Sequence, residues 1–94
     1  MFTHVVLFKL KNPGQDAARV RDALWAMRDQ IPVLRHLEVG IDVLHSARSY
    51  DIALVTKFDS SADHDAYQEH PAHLKVKELI LSVREASASV DFED

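Results

Sequence analysis

The opening run, Phe2-Thr3-His4-Val5-Val6-Leu7-Phe8-Lys9-Leu10-Lys11, is apolar on both sides of an extended chain. At the two-residue period of a strand, Phe2, His4, Val6, Phe8 and Leu10 share one face, and Val5 and Leu7 share the other. A strand apolar on both faces is covered on both faces. With 94 residues the chain amounts to one domain, residues 1–94. One layer of helices covers one face of the sheet. The economical cover for the other is a second copy of the chain.

The pattern beyond this strand fills in the order of elements. Asn12-Pro13-Gly14 ends it. Val20, Leu24, Met27 and Ile31 form one stripe of an amphipathic helix that Pro32 stops. Leu37, Val39, Ile41 and Val43 alternate with polar residues, as in a half-buried strand, and a polar turn over 45–49 leads to a third strand from Tyr50 to Phe58. Glu38 and Asp42 are expected on the open sheet face. Asp59-Ser60-Ser61-Ala62-Asp63 opens a helix, with Ser60 and Asp63 at capping-box spacing. A further helix runs from Pro71 to Val83, and Ala86, Ala88, Val90 and Phe92 close the chain at period 2. Strand, helix, strand, strand, helix pair, strand is the split βαβ or ferredoxin-like order, an α+β fold with a four-stranded antiparallel sheet.

Composition narrows the function classes. There is no cysteine, which excludes disulfides and thiolate metal sites and fits a reducing, cytoplasmic setting. The N-terminus does not read as a secretory signal, and no apolar run approaches the ~20 residues needed to span a bilayer. A net charge of −4 without a basic stripe argues against nucleic acid as a partner.

Tyr67-Gln68-Glu69-His70-Pro71-Ala72-His73 concentrates the chemistry. Proline disfavours the helical region for the residue before it and suits the first turn of a new helix. The segment therefore reads as helix, kink, helix, with Tyr67 in the last turn of the first, His70 as N-cap and His73 in the first turn of the second. The corner is either a reaction site or a well-filled packing joint. His70-x-x-His73 lacks the third fixed ligand that a catalytic zinc site requires, so no metal is expected there. His36, His45 and His64 lie among polar residues and are expected to be solvated. Trp25 lies off the helix stripe, half exposed or packed on a partner.

These stretches, taken with Ile31-Pro32-Val33-Leu34, Val39-Gly40-Ile41-Asp42, Tyr50-Asp51-Ile52-Ala53-Leu54-Val55 and Val90-Asp91-Phe92, resemble the stress-responsive dimeric α/β-barrel (Dabb) family in order and over almost the whole chain. The resemblance implies a homodimer whose two sheets face each other as a barrel, with a hydrophobic cavity between each sheet and its helices. In a plant branch of polyketide cyclases, which close a linear polyketide by aldol condensation, the Tyr and second His of Tyr-x-x-His-Pro-x-His are the catalytic pair. They match Tyr67 and His73, and a pocket histidine on the first strand matches His4.

An aldol-type step needs a base for a proton next to a carbonyl and a donor for the oxygen that becomes negative. His73, at a helix N-terminus whose dipole disfavours imidazolium, suits the base. Tyr67 and His4 offer hydrogen bonds, and no cofactor is needed. The sequence thus leaves three readings: a cofactor-free cyclase or lyase acting on a small hydrophobic carbonyl compound, a non-catalytic dimeric ligand-binding or structural module, and a cofactor-free monooxygenase acting on a phenol or quinol.

Overall fold

β1 (Phe2–Leu10) is the strand on which the sheet is built, in a computed structural model that describes residues 1–94. It is followed by α1 (Pro13–Ala26), a 3-10 turn (Met27–Asp29), β2 (His36–Ile41), β3 (Ile52–Phe58), α2 (Ser61–Glu69), α3 (Pro71–Val83) and β4 (Arg84–Glu93). β1 pairs antiparallel with β3 on one side and with β4 on the other, placing Val6 between Leu54 and Ser89. β2 pairs with the outer side of β3, so the order is β2-β3-β1-β4. The two central strands are the first and third in sequence, which is the ferredoxin-like arrangement expected from the order of elements.

The helices pack on one face only. Val6, Phe8 and Leu10 of β1, Ile52, Leu54 and Phe58 of β3, and Leu37 of β2 are buried there with Val20 and Leu24 of α1. The opposite face carries Val5 and Leu7, Ala53 and Val55, and Ala88, Val90 and Phe92. Val90 is 62% exposed and Phe92 44%. The face opposite the helices is thus apolar and uncovered within the single chain, as the two-sided pattern of β1 predicts. No helix is long and apolar enough to cross a membrane.

Several local expectations change. The Val20–Ile31 stripe is not one helix. α1 gives way to the 3-10 turn at Met27, and Ile31 reaches the core from the loop beyond it. β2 stops at Ile41, leaving Val43 90% exposed. Asp42 lies just past the end of β2, where its carboxylate accepts the His45 N–H at 2.7 Å, closing a turn in which His45 has φ 53°. Glu38 does lie on the open face, opposite Val55, whereas Val39, opposite Leu54, packs against the core. Trp25 is 44% exposed, with the Arg28 guanidinium 4.2 Å from its ring centre.

Both helix starts after β3 are capped as the sequence indicates. Ser60 Oγ accepts the Asp63 N–H at 3.2 Å, and His70 Nδ1 accepts the Ala72 N–H at 3.0 Å. Each satisfies one of the orphan donors of a helix N-terminus. We expect His70→Ala to cost about 1 kcal/mol of unfolding free energy and His70→Asn much less, measured by urea denaturation. Equal losses in the two variants would show that the His70 ring acts through packing and not as a cap.

Candidate functional site

Pro71 sets the geometry of the site. It holds His70 in an extended conformation, φ −65° and ψ 138°, so the chain turns between α2 and α3 instead of continuing as one helix. The last turn of α2 and the first turn of α3 then lie side by side, with the Tyr67 and His73 ring centres 4.6 Å apart. Both residues border a cavity of about 290 Å³ between α3 and the β1–β4 side of the sheet. His4, Val6 and Phe8 supply its floor, and Val76 and Ile80 its helical wall. Exposed residues, among them Lys77, Leu81, Ser87 and Ser89, form its rim. The three residues singled out in the sequence, Tyr67, His73 and His4, all line this one space.

The hydrogen bonds fix proton positions. His73 Nδ1 lies 3.1 Å from the Gln68 carbonyl oxygen, which can only accept. Nδ1 therefore carries the proton, and Nε2 of the neutral ring keeps a free lone pair. His4 Nδ1 bonds the Asp91 carboxylate, again an acceptor, so Nδ1 is the protonated nitrogen there too. Nε2 of neutral His4 is consequently an acceptor. The second hydrogen-bond donation expected of His4 would require the imidazolium form.

Burial shapes the titration of these groups. His73 is pushed below the ordinary imidazole value chiefly by burial, with the Gln68 carbonyl opposing this and the nearby Lys77, His4 and His64 adding to it. Burial drives the Tyr67 phenol well above its ordinary value, so the hydroxyl keeps its proton. Tyr67 is 1% exposed.

His64 corrects the sequence reading. It is buried, not solvated, at 8% exposure. Its ring centre lies 4.5 Å from that of His4, 4.9 Å from Phe2 and 5.3 Å from Phe58. Burial lowers its pKa, with nearby His4 adding to this and Asp91 and Asp65 opposing it. The overlooked signal is its spacing. His64 precedes Tyr67 by three residues, so the two share the sheet-facing side of α2, although the acidic neighbours Asp63 and Asp65 disguise that face as polar. His36 and His45 are exposed, as expected.

Residues 2–94 match the family model of the stress responsive A/B barrel domain. The chain belongs to this family. It is 27% identical over 94 residues to the stress-response A/B barrel domain-containing protein DABB1 of Arabidopsis thaliana, covering 95% of this chain and 45% of that one. The chain thus spans about half the length of that curated relative. Among solved structures, a dimeric ferredoxin-like protein of unknown function from Bacteroides fragilis is 31% identical, with TM-score 0.86 over 99% of this chain and 95% of the other. A dimeric ferredoxin-like protein from Thermobifida fusca is 27% identical, with TM-score 0.88 over 99% and 90%. The hydroxynitrile lyase of Passiflora edulis, 15% identical, shares the fold, with TM-score 0.83 over 97% and 90%.

The depressed pKa of His73 has a consequence for stability. The unfolded chain binds a proton on this ring more readily than the folded one. The folded state therefore loses stability as pH falls through the unfolded value, about 6.5, and until the folded pKa is reached. Melting temperature should drop between pH 7.5 and pH 5, and His73→Gln should make that slope shallower. Parallel slopes for the two proteins would show that His73 titrates as it does in the unfolded chain.

Proposed function

We propose that this protein is a small lyase or cyclase that removes a proton next to a carbonyl group, with His73 as the base and the Tyr67 hydroxyl steadying the resulting enolate oxygen. The observation that carries this reading is the tether of His73 Nδ1 to the Gln68 carbonyl, which makes Nε2 the lone-pair nitrogen of the neutral ring beside Tyr67 in one cavity, while burial is what disfavours the imidazolium. A general base at neutral pH needs that protonation state. A phenol held protonated by burial is a fitting donor for a developing oxyanion. At about 290 Å³, the cavity lies at the lower end of ligand-site volumes, and its apolar walls favour a small hydrophobic carbonyl compound. The same fold occurs in a hydroxynitrile lyase, so the scaffold can carry an enzyme's site.

The reading includes a homodimer closed across the open sheet face. Val5, Leu7, Val55, Val90 and Phe92 form a surface that water covers poorly, and the similar structures from Bacteroides fragilis and Thermobifida fusca are dimeric. Sedimentation should give twice the 10.7 kDa chain mass. Val90→Asp, which puts a carboxylate on that surface, should shift the protein to monomer, because burying an unpaired charge costs several kcal/mol. A wild-type chain that sediments as a monomer with native structure would contradict the barrel.

Base function is tested without knowing the natural substrate. In heavy water, the protein should accelerate deuterium exchange at the carbon between the carbonyls of a small β-diketone, followed by proton NMR. His73→Ala should reduce the exchange by about 10²–10⁴-fold, and Tyr67→Phe by about 10²–10³-fold, with fold and sedimentation intact. Exchange unaffected by both substitutions would exclude Tyr67 and His73 as the catalytic pair. Ligand binding with no exchange would leave a binding module.

A further inference from the structure

One cluster beside the cavity has no part in the chemistry proposed above. A ring nitrogen of His4, a ring nitrogen of His64 and a carboxylate oxygen of Asp91 all lie within 4.8 Å of one another. They come from β1, α2 and β4, so the cluster exists only in the folded chain. Its members are unlike in burial. The Asp91 side chain is 41% exposed at the sheet edge, the His4 side chain is 12% exposed, and His64 is 8% exposed.

The observation that separates this cluster from an ordinary ion pair is His64 Nε2. It is enclosed and has no hydrogen-bond partner, one of two such side-chain atoms. The other is Thr56 Oγ1, and Thr56 stands opposite His4 in the β1–β3 pairing. Both orphaned atoms therefore belong to residues that border His4. Buried polar groups are as a rule paired, and an orphan in such a position points to a ligand that completes the set.

We infer that His4, His64 and Asp91 form a three-ligand site for a divalent transition metal of the zinc class. Two imidazoles and one carboxylate are a donor set that zinc accepts, and three protein ligands leave its fourth position open. A tetrahedral ion with bonds near 2.0–2.1 Å needs ligand atoms roughly 3.3 Å apart. The present spacing reaches that by small side-chain rotations, which the exposed Asp91 can make. A metal at His4 Nδ1 takes the place of the proton shared with Asp91, and the neutral ring then carries its one proton at Nε2. The sequence hides this site because its ligands stand at positions 4, 64 and 91, far outside the close spacing by which zinc motifs are recognised.

Zinc chloride alone is the probe. Isothermal titration of metal-stripped protein should show one Zn²⁺ per chain, with a rise in melting temperature. His64→Leu keeps an apolar core at that position and should weaken binding by more than about tenfold, as should Asp91→Asn. His73→Ala should bind zinc as the wild type does, which separates this site from the base chemistry and from the His70–His73 pair. Fold is checked by circular dichroism, and Asp91→Asn, at an exposed edge, carries the test if His64→Leu does not fold. No saturable binding by the wild type, or equal affinity in wild type and Asp91→Asn, would overturn the proposal.

Discussion

Pro71 has no N–H to donate, and its ring forces His70 out of the helical region. That one covalent restriction converts what would be a single long helix into two, and the rest of the site follows from the turn. The break leaves the N-terminal turn of α3 with unpaired donors, and the His70 ring accepts one of them. The Leu74 N–H then bonds the His70 carbonyl at 3.0 Å, so helix hydrogen bonding resumes within one turn. Tyr67 and His73 would be six residues apart on an unbroken helix, with their side chains far apart around its axis. The bend instead brings their rings together over the β1 floor.

The same packing that builds the core sets the electrostatics. Tyr67, Phe58 and His64 fill the space between α2 and the sheet, and their ring contacts run on to His4 on one side and His73 on the other. Enclosure beside other imidazoles disfavours charge on His64 and His73. The lowered pKa values of His64 and His73 have burial as their first cause and their neighbours as the second. Neutral histidines in such surroundings are lone-pair donors, suited to accept a proton or to bind a metal. Asp91 supplies the only negative side chain in direct contact with this group, through His4, and it does so from the exposed edge strand.

Most of the fold could be read from periodicity. The two-faced pattern of β1 gave the central strand and the uncovered sheet face. The Ser60 and His70 caps and the Pro71 break were visible because each depends on neighbours in sequence. The misplacements share a cause. His64 looked solvated because Asp63 and Asp65 flank it, while burial depends on the face that α2 turns toward Phe2 and Phe58, far away in sequence. Ile31 has the spacing of a helix stripe, yet a loop residue can fill the same hole. The Tyr67–His73–His4 cavity was legible through resemblance to the family. The tether from His73 to the Gln68 carbonyl, which decides the tautomer, and the contact of His4 with Asp91 across the sheet are products of tertiary geometry.

The proposed chemistry depends on the state of one ring. Nitrogen-15 NMR of histidine-labelled protein at pH 7, assigned with the help of His73→Gln, reports which nitrogen of each imidazole carries the proton. For His73 the predicted result is a neutral ring protonated at Nδ1, with Nε2 showing the shift of an unprotonated nitrogen. A neutral His73 ring protonated at Nε2 would mean that the Gln68 tether does not hold in solution, and an imidazolium at that pH would mean that burial does not keep the ring neutral; in either case the cavity contains no ready base.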